Sequence, residues 1–331
     1  MKKNLSLTAA LFLSFLFFSC ATSVPVTVVR PAELDIGNAK TICILPFQTS
    51  SSYSKSNFKE SGNIVIDVLQ ILVKPSVPAK PEEEKAGRYL TQKLTSLVLD
   101  SPYVTVVGTS SVQSALNAGT KVPCDVYLTG EIYDYDEYLE EDETSVRRDD
   151  GTYEKRREVR KVVKANVAYT VIDANTNRML ASKRESLYES SSWERSPHDL
   201  PPSDMLLETD LEYLAKKIAR QIQPYTVTVY CELLEDKTKN QTLSTADKLA
   251  DQGLIEESLQ MFCEYYEETG NFTAGYNSAK LYEAQGNLAA ARSILSELVK
   301  TTGDSRAIKA LRHIEDEIYQ ANRLNSQING N

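Results

Sequence analysis

The chain has 331 residues, with 46 acidic side chains against 37 Lys and Arg, for a formal net charge of −9. That sign excludes the phosphate-neutralising field on which nucleic-acid binders rely. The length suits one sizeable domain with a smaller one, and two histidines leave little material for a metal centre.

The first residues have the three-part layout of an export signal: Lys2 and Lys3, an uncharged apolar stretch over residues 5–18, then Ser19-Cys20. The apolar stretch is too short to span a bilayer. A cysteine after a small residue matters because its thiol takes diacylglycerol before cleavage and becomes the new N-terminus. Leu16-Phe17-Phe18-Ser19-Cys20 resembles the bacterial lipobox, with Phe17 and Phe18 bulkier than the usual residues. The resemblance implies lipid on Cys20, and at about 0.8 kcal/mol per buried CH₂ two or more acyl chains anchor a protein stably. The competing reading is a short buried helix with a chance cysteine. Cleavage before Cys20 removes 2 of the 37 basic side chains, leaving 35 against 46 acidic, or −11. Residues 21–24 read as a short tether. Ala21 is not the aspartate that retains lipoproteins in the inner membrane of well-studied bacteria, which favours the outer membrane.

Beyond the anchor, Thr41-Ile42-Cys43-Ile44-Leu45-Pro46-Phe47 reads as a strand buried on both faces, followed by a serine-rich loop over residues 48–61. Residues 64–73 are apolar and open to two readings, core or exposed patch. Pro81, Glu82 to Glu84, then Ala86, Leu90, Leu94 and Leu97 predict an amphipathic helix. Strands are predicted over residues 103–107, 125–135, 159–173 and 179–188, with a short helix over 109–118. Asn175-Thr176-Asn177 supplies a tight turn, and Pro201-Pro202-Ser203 opens a helix carrying Leu207, Leu211, Leu214, Ile218 and Ile222. Alternating strands and helices predict one α/β (α+β) layered domain with a mixed sheet over about residues 39–224.

Residues 131–164 hold eight acidic residues from Glu131 to Glu143 and eight basic ones from Arg147 to Lys164, with Asp150-Gly151 between them. Asp-Gly is a hairpin signal. Folding there lays acidic strand against basic strand in a self-neutralising extension at about 132–164; the competing reading is a docking arm for a charged partner.

Lys40 to Phe47, Cys124-Asp125-Val126-Tyr127-Leu128-Thr129-Gly130-Glu131-Ile132 and Val171-Ile172-Asp173-Ala174-Asn175-Thr176 occur in the order seen in curli-secretion-channel lipoproteins and penicillin-binding-protein activators. The resemblance covers about residues 28–224. It implies a lipid-anchored α/β domain that organises partners. Channel members insert amphipathic hairpins into an outer-membrane barrel. Here Glu140 to Glu143, with Arg147, Arg148, Arg156 and Arg157, put charge on both faces, and one arginine at the bilayer midplane costs roughly 2–4 kcal/mol. A pore is disfavoured.

Ala246, Gln252, Gly253, Thr269 and Gly270 recur as Ala279, Gln285, Gly286, Thr302 and Gly303, always 33 residues on. The period resembles tetratricopeptide-type helical repeats. Leu249/Tyr282, Ser258/Ala291 and Phe262/Leu295 fall where that motif places bulky, small and bulky side chains; Tyr265 departs from it, as does the absence of a terminal proline. The resemblance implies an all-α domain over 244–321, capped by residues 305–320. It also implies a concave groove lined by Asp247, Asp251, Tyr276, Lys280 and Glu283, suited to a peptide or extended segment of another envelope protein. The competing reading makes these residues a solvated helix face.

The expected division is signal peptide 1–19, lipidated Cys20 with tether 20–38, α/β domain 39–224, strand and linker 225–243, helical repeats 244–321 and a disordered tail 322–331. His198 and His313 lie beside no candidate nucleophile, and nucleotide-binding and hydrolase signatures are absent. Cys43, Cys124, Cys231 and Cys263 show no metal-ligand spacing, and the sequence assigns no disulfide. No metal or cofactor is expected. The reading is a non-catalytic envelope scaffold, possible as a homo-oligomer, with the α/β body near the membrane and the helical arm reaching away. A secretion-assembly subunit and a carboxylate-dependent wall hydrolase are the alternatives.

Overall fold

The computed structural model describes residues 22–50 and 80–330. Cys20 and residues 64–73 lie outside them. Two compact units emerge: residues 30–225 with 323–330, and residues 226–322 with those up to Val29. The chain is thus mixed α/β with a separate C-terminal region of several helices.

The first strand, β1 (Ser23–Arg30), belongs to the helical unit. In the α/β unit, β2 (Thr41–Ile44), β3 (Gln48–Ser50), α1 (Pro81–Leu99), β4 (Thr105–Val106), α2 (Thr109–Ala118), β5 (Val126–Arg147), β6 (Tyr153–Asp173), β7 (Arg178–Ser190) and α3 (Ser203–Ile222) follow in turn. The sheet order is β4-β2-β5-β6-β7, with β3 also paired to β5. Pairs β2/β4, β2/β5 and β3/β5 are parallel, while β5/β6 and β6/β7 are antiparallel. Parallel neighbours need crossovers, and α1 and α2 lie in these connections.

Pro81 forfeits no helical hydrogen bond at the start of α1, and Glu82 to Glu84 complement its positive end. Ala86, Leu90, Leu94 and Val98 form its buried stripe. They share a core with Leu207, Leu211, Leu214 and Ile218 of α3 and with Ile42, Ile44, Leu128, Val167 and Tyr169 of the sheet. Cys43, Leu45, Tyr127 and Ile172 face a second layer under Val112 and Leu116 of α2. Both faces of β2 are therefore covered, as its continuous apolar run requires.

Strands β5 and β6 run far past the sheet, turning at Arg148 to Thr152, where Gly151 has φ 86° and Arg148 N donates to Thr152 O at 2.8 Å. Beyond the Val162–Ser190 pair β6 has no β7 partner, only an isolated bridge from Val159 to Glu194. Opposite charges meet across the ribbon: Arg160–Glu140 at 2.6 Å, Lys155–Glu143 at 3.2 Å and Arg157–Glu141 at 3.7 Å.

The structure departs from the sequence reading in three places. Gln48 opens a strand rather than a loop, because β5 offers a free edge to Gln48, Thr49 and Ser50. Residues 23–38 are no tether: Ser23–Arg30 is strand β1, Glu33 N and Leu34 N donate to Arg220 O and Gln221 O at 3.0 and 3.1 Å, and Ala32 is fully buried. The tail expected to be disordered is helical to Asn329. There the buried Gln327 accepts from Ala32 N at 2.8 Å, and Gln327 O and Ile328 O accept from Lys40 Nζ at 2.8 and 2.7 Å.

No helix among the described residues is long and apolar enough to cross a membrane. The four cysteines at 43, 124, 231 and 263 are free thiols.

Candidate functional site

The helical unit contains β8 (Tyr225–Glu232), α4 (Gln241–Asp251), α5 (Ile255–Thr269), α6 (Phe272–Ala284), α7 (Leu288–Thr302) and the larger part of α8 (Ser305–Asn329). The 33-residue recurrence has a backbone cause. Gly253 and Gly286 hold φ of 81° and 76° in the turns inside each helix pair, and Gly270 and Gly303 end α5 and α7 at 65° and 64°. L side chains avoid that region. Asn240, Asn271 and Asn287 cap α4, α6 and α7 by accepting from backbone N–H groups. Helices of a pair approach closely at small residues, where the Ser258 hydroxyl donates to Ala246 O at 2.7 Å.

A two-stranded ribbon of β1 and β8 packs against these helices. Leu233 N donates to Thr22 O at 2.9 Å; joining the start of β1 to the end of β8 makes the strands antiparallel. Val24, Cys231 and Leu233 complete a core with Leu243, Ala246, Phe262 and Leu281. Just past β8 the chain is clasped by Asn277, which is buried on α6. Its Oδ1 accepts from Leu234 N at 2.7 Å and its Nδ2 donates to Leu234 O at 2.9 Å. This bidentate grip reads peptide backbone, not side chain.

The five groove residues separate into two places. Lys280 and Glu283 on α6 pair with each other and are enclosed, at 9% and 8% side-chain exposure, so neither is displayed to solvent. Glu283 Oε1 lies 3.0 Å from His313 Nε2, and Glu317 Oε1 lies 3.8 Å from it on the other side. Burial raises the Glu283 pKa, but His313 and Lys280 outweigh it and hold the carboxyl below its usual range. The hydrogen bond to Glu283 holds the His313 imidazolium above its usual value, against partial burial. Burial, with Glu283 nearby, pushes the Cys231 thiol up to about 12. A nucleophile needs the thiolate, and this burial disfavours that form of Cys231. Tyr276 is half-buried beside Lys280 and Glu283.

Asp247 lies elsewhere, on α4, lining a cavity of about 280 Å³ with Leu234, Asp236, Asn240, Leu243 and Asn277. Burial raises its pKa, a hydrogen bond with Thr22 lowers it, and Asp251 and Glu235 raise it. Its Oδ1 is buried without a hydrogen-bond partner among the described residues. Asp251 is exposed at the end of α4. Sequence reasoning missed Asn277, Thr22 and the ribbon. An Asn inside a helical repeat was the one available signal, since it is a poor helix former.

No protein-family model matches this chain, and no curated protein matches it. Solved structures overlap it weakly. The PelC dodecamer from Paraburkholderia phytofirmans shares 13% identity over 61% of this chain and 97% of its own, with a TM-score of 0.24. A putative neuraminyllactose-binding hemagglutinin homolog from Helicobacter pylori shares 9% over 56% and 84%, at 0.31. Lipoprotein GNA1162 from Neisseria meningitidis shares 11% over 54% and 98%, at 0.26. At such TM-scores the likeness carries no argument about activity or partner.

Proposed function

We propose that the chain is a non-catalytic lipoprotein of the bacterial envelope, anchored through Cys20, that holds an extended segment of another envelope protein on its helical unit. The Asn277 clasp on Leu234 carries this reading: the α4–α6 surface already grips one extended backbone in cis, and the Asp247 cavity beside it has room for a basic side chain of a second. Enclosure of Lys280 and Glu283 restricts the free part of the groove to Asp247 and its neighbours. The glycine turns at a 33-residue period support a tetratricopeptide-type array. The mixed sheet behind residues 124–132 supports the likeness to curli-secretion and synthase-activator lipoproteins. Glu140 and Glu141 are neighbours on β5 and so carry charge to both faces of the ribbon, which speaks against a lipid-embedded barrel hairpin. The outer membrane is the proposed site.

Two measurements test it. Fatty-acid labelling of cells should mark the protein and be lost in Cys20→Ala. A photo-crosslinking residue at Ser244, on the cavity rim, should give one dominant envelope adduct in cells. Asp247→Lys should abolish that adduct; an adduct unchanged by it removes the cavity from the reading.

A further inference from the structure

The anchor and the fold meet at Thr22. Its carbonyl accepts from Leu233 N at 2.9 Å, its side chain lies beside Asp247 of α4, and Val24, two residues on, is buried with Leu243 and Ala246 of α4 in the helical unit's core. Thr22 is therefore fixed to the α4 end of that unit. Only Ala21 separates it from Cys20, and two residues span at most about 7 Å. That distance is close to the depth of one headgroup layer, roughly 5–8 Å. An acylated Cys20 sits at the membrane interface, so no slack is left for the unit to stand away from it.

On this geometry, and resting on the reading that Cys20 is lipidated, we propose that the α4 end of the helical unit lies against the lipid bilayer. Helices α4, α5, α6 and α7 pack in sequence, each on the next, so α7 is separated from that end by two helices. Asp251 and Gln252, exposed at the end of α4 about one turn beyond Asp247, lie on the surface concerned. The Asp247 cavity opens beside this surface, so the segment it takes is a juxtamembrane one. The sequence alone had put the α/β body next to the membrane; on this proposal the helical unit takes that place.

The test uses the lipidated full chain in vesicles of phosphatidylethanolamine and phosphatidylglycerol, with Cys263→Ser removing the half-buried native thiol. Asp251→Cys, Gln252→Cys and Lys300→Cys, all exposed positions, are treated with a bulky polyethylene-glycol maleimide. Compared with the same variants carrying Cys20→Ala in solution, modification at 251 and 252 should slow by about tenfold in vesicles while that at 300 stays within about twofold. Equal rates at the two ends, or greater shielding at 300, overturn the proposal. Fatty-acid label is read on the same samples. Unlabelled protein overturns the anchor and with it the proposal, whereas labelled protein with equal rates overturns the apposition alone.

Discussion

Asp125 ties the first strand of the α/β sheet to the central one. Its Oδ2 accepts from Lys40 N, Thr41 N and the Thr41 hydroxyl at 2.9, 2.9 and 2.8 Å. Burial raises its pKa, but these donors, with Asn175, outweigh it and the carboxyl sits below its usual range. A depressed folded pKa contributes stability that is present above the unfolded value and lost as pH falls through the folded one. Asp125→Ala should cost about 2 kcal/mol at neutral pH, and the difference from the parent chain should shrink below about pH 4, as read by urea unfolding. His313 has the opposite sign. Its raised pKa contributes stability that is complete below about pH 6.5 and lost as pH rises through the folded value. The groups facing it are Glu283, Glu317 and Lys280. His313→Gln should therefore narrow the gap between melting temperatures at about pH 5.5 and about pH 8.5, a gap left unchanged if the imidazole titrates freely. The strand that Asp125 immediately precedes was legible in the sequence, but the donors to its carboxylate were not. They sit 84 and 85 residues away and are defined only by register.

Among the elements, the long β5–β6 ribbon was the most legible, because opposite charge runs about an Asp-Gly turn admit one register. Its ion pairs are largely exposed; Lys155 and Glu143 keep 79% and 52% of their side-chain surface. Such pairs contribute about 0–1 kcal/mol each. Replacing residues 142–158 by Asn-Gly, which leaves Glu141 facing the buried Val159, should therefore lower stability by no more than about 1 kcal/mol in a thermal melt. A larger loss would mean that the ribbon supports the sheet. Arg160 is the exception within it, half-buried against Glu140 and stacked 4.7 Å from the Trp193 ring. Strand β1 was illegible for the converse reason. Pro25 interrupts its alternation, as an edge strand permits, and its partner β8 lies about two hundred residues on. Gly253 and Gly286 marked the helical hairpins because local backbone geometry demands them. The ribbon's seat on those helices leaves no such local mark.

At the scale of the whole molecule, the division into α/β and helical units follows the shift from alternating strands to a 33-residue recurrence, yet the chain crosses that division at both ends. Residues up to Val29 join the helical unit, and residues 323–330 join the α/β unit. Composition misleads at the second crossing, since Asn, Ser and Gly near the terminus read as disorder. The contacts that order it include polar bonds to distant residues: Gln327 accepts from Ala32 N, Arg323 donates to Ala32 O at 3.0 Å, and Lys40 donates to Gln327 O and Ile328 O near the end of α8. Ending the chain after Asn322 removes both the acceptor of the Ala32 N–H and the Arg323 donor to Ala32 O, at about 1–3 kcal/mol. Trp193, the only tryptophan, lies in the α/β unit, so its fluorescence reports that unit separately. With a urea slope of roughly 2 kcal/mol per molar, the Trp193 midpoint should fall by about 1 M in the shortened chain. Gln327→Ala in the full chain should account for a large part of that fall, because it removes the acceptor and keeps the helix. An unmoved midpoint in both would return these residues to the status of a tail.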